Sequence, residues 1–92
     1  MAAAPHVQSV KILNQRGLHA RASAKFVQLA EGFDAHVSVS KDGESALATS
    51  IMGLMMLGAN LGSDITLSAD GAEAEAALAA LVALIENKFG ED

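Results

Sequence analysis

Between Val7 and Leu13 apolar and polar positions alternate, with Val10 and Ile12 on one side and Ser9 and Lys11 on the other, which is the period-two pattern of a half-buried strand. The polar run Asn14 to Gly17 ends it. From Ala20 to Ala30 the period changes: Ala22, Phe26, Leu29 and Ala30 fall at i, i+4, i+7 and i+8, predicting a helix anchored by Phe26 and capped near Gly32. Val37 and Val39 alternate with His36, Ser38 and Ser40 over Ala35 to Ser40, and the Asp42-Gly43 pair predicts a tight hairpin turn into a strand over Ser45 to Ala48. Thr49 and Ser50 suit a helix N-cap, so Ile51 to Leu57 reads as a short helix stopped by Gly58 or Gly62. Ile65, Leu67 and Ala69 alternate again as a strand ended by Asp70-Gly71. The last helix runs from Ala72, with Leu78, Leu81, Val82, Ile85 and Phe89 as one stripe, Glu73 and Glu75 in its first turn, and Lys88 and Gly90 at its end.

Every predicted strand is apolar on one face only. The economical solution is an α+β fold: a two-layer open-faced sandwich, a four-stranded antiparallel sheet with three helices on one face, in the order βαββαβα. With 92 residues, 51% apolar and 18% charged, the chain suits a single domain over 1–92. Aromatic residues are 3% of the chain, so Ala, Leu, Ile, Val and Met must fill the core.

Six basic against eleven acidic residues give a net charge of −5, which disfavours a nucleic-acid partner. The chain has no Cys, which removes disulfides and thiolate chemistry and fits a reducing compartment. No stretch approaches the ~20 apolar residues of a membrane span, and the N-terminus lacks the pattern of a secretory leader. A cytoplasmic protein with no membrane association is expected. No pair of its histidines has metal-site spacing, so no metal and no cofactor are expected; His6 and His36 read as ordinary surface residues.

Against this background the segment Arg16-Gly17-Leu18-His19-Ala20-Arg21 stands out, because it places His19 at the start of the first helix. The first turn of a helix presents unpaired N–H groups and the positive end of the macrodipole, which together accept an anion such as phosphate. Imidazole, with an ordinary pKa of ~6.5, is a competent nucleophile near neutrality and forms covalent intermediates. Arg16 and Arg21 flank it, and guanidinium groups hold phosphoryl oxygens in bidentate fashion. Gly17 allows a sharp turn and close approach of another molecule. A His beside an Arg also occurs as a simple surface or capping residue; a non-catalytic regulatory or anion-binding α+β module is the alternative reading.

With Gly17-Leu18-His19-Ala20-Arg21-Ala22 opening the first helix and Ser50-Ile51-Met52-Gly53-Leu54-Met55 opening the second, the chain resembles the HPr family of phosphocarrier proteins from about Val7 to the last helix. The resemblance implies a relay: a phosphoryl group derived from phosphoenolpyruvate passes from enzyme I to Nδ1 of His19 and on to an enzyme IIA domain, in sugar uptake or a nitrogen-related regulatory branch. Arg21 matches the arginine beside the phosphohistidine, whereas Arg16 is assigned a supporting role on charge alone. Ala22 departs from the usual Pro, a residue that fits the first helical turn well. Ser50 matches the serine that a bifunctional kinase/phosphorylase modifies in some branches; equally, a Ser at a helix start is commonly only an N-cap.

Ile51, Met52, Met55 and Met56 cluster on a short helix and could face either the core or adaptable partners. The resemblance places Ile51, Met52 and Met55 among partner-contacting positions. Ala20, Ala24, Gln28 and Glu31 form a second stripe opposite the core face of the first helix. Together these residues would surround His19 with a shallow platform for transient docking, as a monomer.

Overall fold

The computed structural model describes residues 5–91. Its elements are β1 (His6–Lys11), α1 (Ala20–Glu31), β2 (His36–Lys41), β3 (Glu44–Leu47), α2 (Ile51–Met56), β4 (Asp64–Asp70) and α3 (Ala74–Glu86), followed by a short 3₁₀ turn, Lys88–Gly90. The four strands form one antiparallel sheet in the order β1-β4-β2-β3. This is the open-faced sandwich that the alternation demands.

One face of the sheet is built from Val10, Val37, Val39, Ile65, Leu67 and Ala69, all buried, with Ile12 continuing the same side just beyond β1. Helix α3 packs across β1, β4 and β2, while α1 lies against α2 and α3. Phe26, fully buried on α1, belongs to this core, and a side chain of that size contributes on the order of 2–3 kcal/mol when removed from water. The other face carries a polar row, Ser9, Thr66, Ser40 and Ser45, paired across all four strands. Asp42 (φ 51°) and Gly43 (φ 84°) both adopt the left-handed conformation, as the Asp-Gly hairpin requires.

Strand and helix boundaries differ from the sequence expectation by one or two residues, with a larger difference at the C-terminus. Helix α3 ends at Glu86, and Lys88 (φ 56°) and Phe89 (φ 55°) turn left-handed. Phe89 therefore does not extend the helical stripe; the reversal swings it back into the core, where it is 1% exposed. Periodicity places an apolar residue on a face but carries no information about a backbone reversal between Ile85 and Phe89. At the other end, Glu73 precedes the helix and accepts a hydrogen bond from the Asp34 amide at 2.7 Å, tying α3 to the loop before β2. Gly32 follows α1 as expected, but in right-handed geometry (φ −77°).

Candidate functional site

Leu18 is buried and its amide donates to the Ala59 carbonyl at 3.0 Å, so the residue after it is held at the rim rather than in the core. His19 occupies the N-cap of α1 in extended conformation, and its side chain makes no capping bond. No acidic residue lies in the first turn of α1, leaving the helix N–H groups and macrodipole open to an anion. Ser23 steadies this entry from inside the turn: its amide donates to the His19 carbonyl at 2.9 Å and its hydroxyl to the Leu18 carbonyl at 3.2 Å.

The loop before His19 is organised by Asn14, which is fully buried. Its Nδ2 group donates to the Gly17 carbonyl at 2.9 Å and to Glu91 Oε1 at 3.0 Å. Its Oδ1 has no partner among the described residues, an arrangement that is rare in packed interiors and calls for a reason. Gly17 turns with φ +63° against the Ala59–Asn60 backbone.

The C-terminal segment completes the site. The other oxygen of Glu91, Oε2, lies 2.5 Å from His19 Nε2, and both side chains are largely covered. Among the described residues Nδ1 of His19 has no hydrogen-bond partner. Burial tends to raise the Glu91 pKa, but hydrogen bonds from Asn14 and His19 and the nearby positive charges of His19 and Arg16 hold its carboxyl below its ordinary value of 4.5. Because the folded value is the lower one, this contact stabilises the folded tail fully above the ordinary value and is lost as pH falls through the lowered one. An NMR titration of the Glu91 side-chain carbonyl should report a midpoint below 4.5, shifted upward in Asn14→Ala.

The residues singled out from sequence are partly assembled. Arg16 and Arg21 are both exposed, and neither side chain forms an ion pair or hydrogen bond among the described residues; Arg16 acts on Glu91 through its charge. On α1, Ala20, Gln28 and Glu31 are exposed and Ala24 is half-buried. On α2 only Leu54 is buried, so Ile51 (40% exposed), Met52 (67%), Met55 (39%) and Met56 (75%) face outward rather than filling the core. Ser50 Oγ accepts from the Gly53 amide at 3.0 Å as the N-cap of α2. His6 and His36 are exposed.

Sequence reasoning missed Asn14 and Glu91, because nothing local connects residue 91 with residue 19. A shallow depression lined by Ala35, His36, Ser38, Leu47, Ser68 and Asp70 lies elsewhere and includes none of the groups around His19. The described residues contain no cluster of His, Cys, Asp or Glu suited to a metal ion.

Residues 7–87 match the family model described as the PTS HPr component phosphorylation site. The chain belongs to the HPr family. It is 54% identical over 80 residues to the phosphocarrier protein HPr of Cupriavidus necator, covering 87% of this chain and 90% of that protein. It is also 43% identical over 86 residues to the phosphocarrier protein NPr of Escherichia coli, covering 92% and 96% respectively. In three dimensions it superimposes on HPr-C-His from Thermoanaerobacter tengcongensis with a TM-score of 0.90 at 47% identity, over 95% of this chain and 98% of that one. As an HPr-family member it is a phosphocarrier of the phosphotransferase system and not an independent enzyme. The HPr match stops at residue 87, before the turn that carries Phe89 and Glu91.

Proposed function

We propose that His19 is the residue that carries the phosphoryl group, through Nδ1, taking it from phospho-enzyme I and passing it to an enzyme IIA domain. The observation that supports this best is the placement of a partly exposed imidazole at the N-cap of α1, with Nε2 engaged by Glu91 and Nδ1 without a partner among the described residues. An anion on Nδ1 would meet the positive end of the helix and its unpaired N–H groups. Arg21, exposed within the first turn, reaches the phosphoryl oxygens; Arg16 and Gly17 support the loop.

Docking uses the outward face of Ile51, Met52 and Met55 with Ala20, Ala24 and Gln28, extended by Met56. Helix α2, which exposes Ile51 and the methionines, packs against α1, whose N-cap is His19, and flexible thioethers suit a surface that must accept two partners in turn. Among the described residues no helix is long and apolar enough to cross a membrane. Residues of every element join one core, which supports a single domain over 1–92; it shuttles as a monomer in the cytoplasm. Relatives bearing both names, HPr and NPr, are compatible with service in sugar uptake or in nitrogen-related regulation.

Incubation with phosphoenolpyruvate, Mg²⁺ and an active family enzyme I should add one acid-labile phosphoryl group by intact mass, and ³¹P NMR should assign it to Nδ1. No gain would favour the anion-binding module instead, and a phosphoryl group on another residue would move the carrier away from His19.

Ser50 is proposed as a regulatory modification site for a bifunctional kinase/phosphorylase. Its position directly before Ile51 would put about −1.5 to −2 charges into the docking face, weakening association with an acidic partner. Since its hydroxyl caps α2, Ser50→Ala should cost ~1 kcal/mol in urea unfolding, whereas Ser50→Asp should keep the cap and weaken partner binding.

A further inference from the structure

The geometry points to Glu91 as a positioning residue, delivered by a C-terminal clasp, that selects Nδ1 of His19 for phosphorylation and balances the positive charge the ring acquires. This deepens the assignment of His19 as carrier and rests on it.

An ionised carboxylate only accepts hydrogen bonds. With Oε2 of Glu91 at 2.5 Å from Nε2, that nitrogen must carry the proton, and in the neutral ring the lone pair is then left on Nδ1. Attack from Nδ1 forms the Nδ1–P bond while the bond from phosphorus to the donor's leaving atom breaks, its electron pair departing with the donor. No proton moves. The ring retains the Nε2 hydrogen and becomes cationic, and Glu91 already faces that charge. Onward transfer reverses the bookkeeping: the Nδ1–P electron pair returns to Nδ1. The logic is that of a carboxylate that fixes an imidazole tautomer and stabilises its cation without itself taking the proton.

Independent contacts hold the clasp. Phe89 is buried in the core, and its carbonyl accepts from Lys25 Nζ of α1 at 2.6 Å. The Gly90 amide donates to the Asn87 carbonyl at 3.0 Å and the Glu91 amide to the Lys88 carbonyl at 2.9 Å. Asn14 then fixes the second carboxylate oxygen from the opposite side. A side chain held at both oxygens and on a turn anchored in the core is built to aim, not simply to trail past the site. Among the described residues, Arg16 and, once its ring is cationic, His19 favour its ionised form.

Long-range ¹H–¹⁵N NMR of the His19 ring in the full chain, at a pH where the ring is neutral, tests the assignment without any phosphoryl donor. The wild type should show the Nε2–H tautomer, Glu91→Ala a mixture of the two, and Glu91→Gln, which keeps an acceptor oxygen, a return toward the wild-type pattern. The rate of phosphoryl acceptance should fall roughly tenfold in Glu91→Ala; in Glu91→Gln it should fall by less, with the remaining loss reflecting the missing charge. An unchanged tautomer in Glu91→Ala, or a transfer rate within about twofold of wild type, would overturn the role of Glu91. A wild type that shows the tautomer response yet takes no phosphoryl group would instead overturn the carrier assignment.

Discussion

His19→Ala is expected to retain the fold and lose all phosphoryl acceptance. The fold should survive because His19 makes no side-chain capping bond to α1 and the backbone link from Ser23 does not depend on its ring. What it removes is the Glu91 contact and the proposed nucleophile. Transfer, by contrast, has no second route: among the described residues no other imidazole stands at a helix N-terminus, and His6 and His36 lie on strands. Intact mass after reaction with enzyme I should show no gain, while thermal unfolding should stay within a few degrees of wild type. A variant that still gained an acid-labile phosphoryl group would move the carrier elsewhere.

Gly17→Ala should have the largest effect on stability. A Cβ at this position would lie 2.3 Å from the Ala59 carbonyl oxygen and 2.9 Å from the Asn60 Cα, both backbone atoms, and φ is +63°. The neighbouring loop cannot simply retreat. Ala59 is 3% exposed, its carbonyl holds the Leu18 amide, and the Gly62 amide and Ser63 carbonyl pair with Ile12 at 2.8 Å each. Left-handed strain of ~1–2 kcal/mol, a disturbed hydrogen bond of ~1 kcal/mol and overpacking of ~1–3 kcal/mol together predict a loss on the order of 3–6 kcal/mol in urea unfolding. Gly43→Ala provides the comparison, since its φ is also positive (+84°) but nothing lies within 4 Å of the new Cβ; it should lose only the strain, ~1–2 kcal/mol. Equal losses at the two sites would show that the Gly17 contact with Ala59 is unimportant. Because Leu18 and His19 follow Gly17 directly, the Gly17 variant should also transfer more slowly in the fraction that remains folded.

The one-sided alternation of Val37 and Val39, of Ile65 and Leu67, and of Val10 and Ile12 was legible in the chain and determined the layered fold, because a sheet with one apolar face must be covered and helices were the only elements available to cover it. The motif around His19 was legible for a similar reason: a histidine at a helix start is a local arrangement, set by residues adjacent in sequence. The Met cluster was not resolved locally. Ile51, Met52 and Met55 are apolar whichever way α2 rolls, and only the packing of Leu54 beneath it turned them to solvent.

The C-terminus marks the boundary most clearly. The chain alone determined that Phe89 belongs in the core and that His19 stands at a helix N-terminus. Only the tertiary structure decided how Phe89 reaches the core, by a left-handed turn after Glu86, and that this turn brings Glu91 and Asn14 onto the His19 site. The physical reason is range: periodicity and capping act over a few residues, whereas a contact spanning 72 positions exists only once α1, the loop at Asn14 and the end of α3 have packed around the same core.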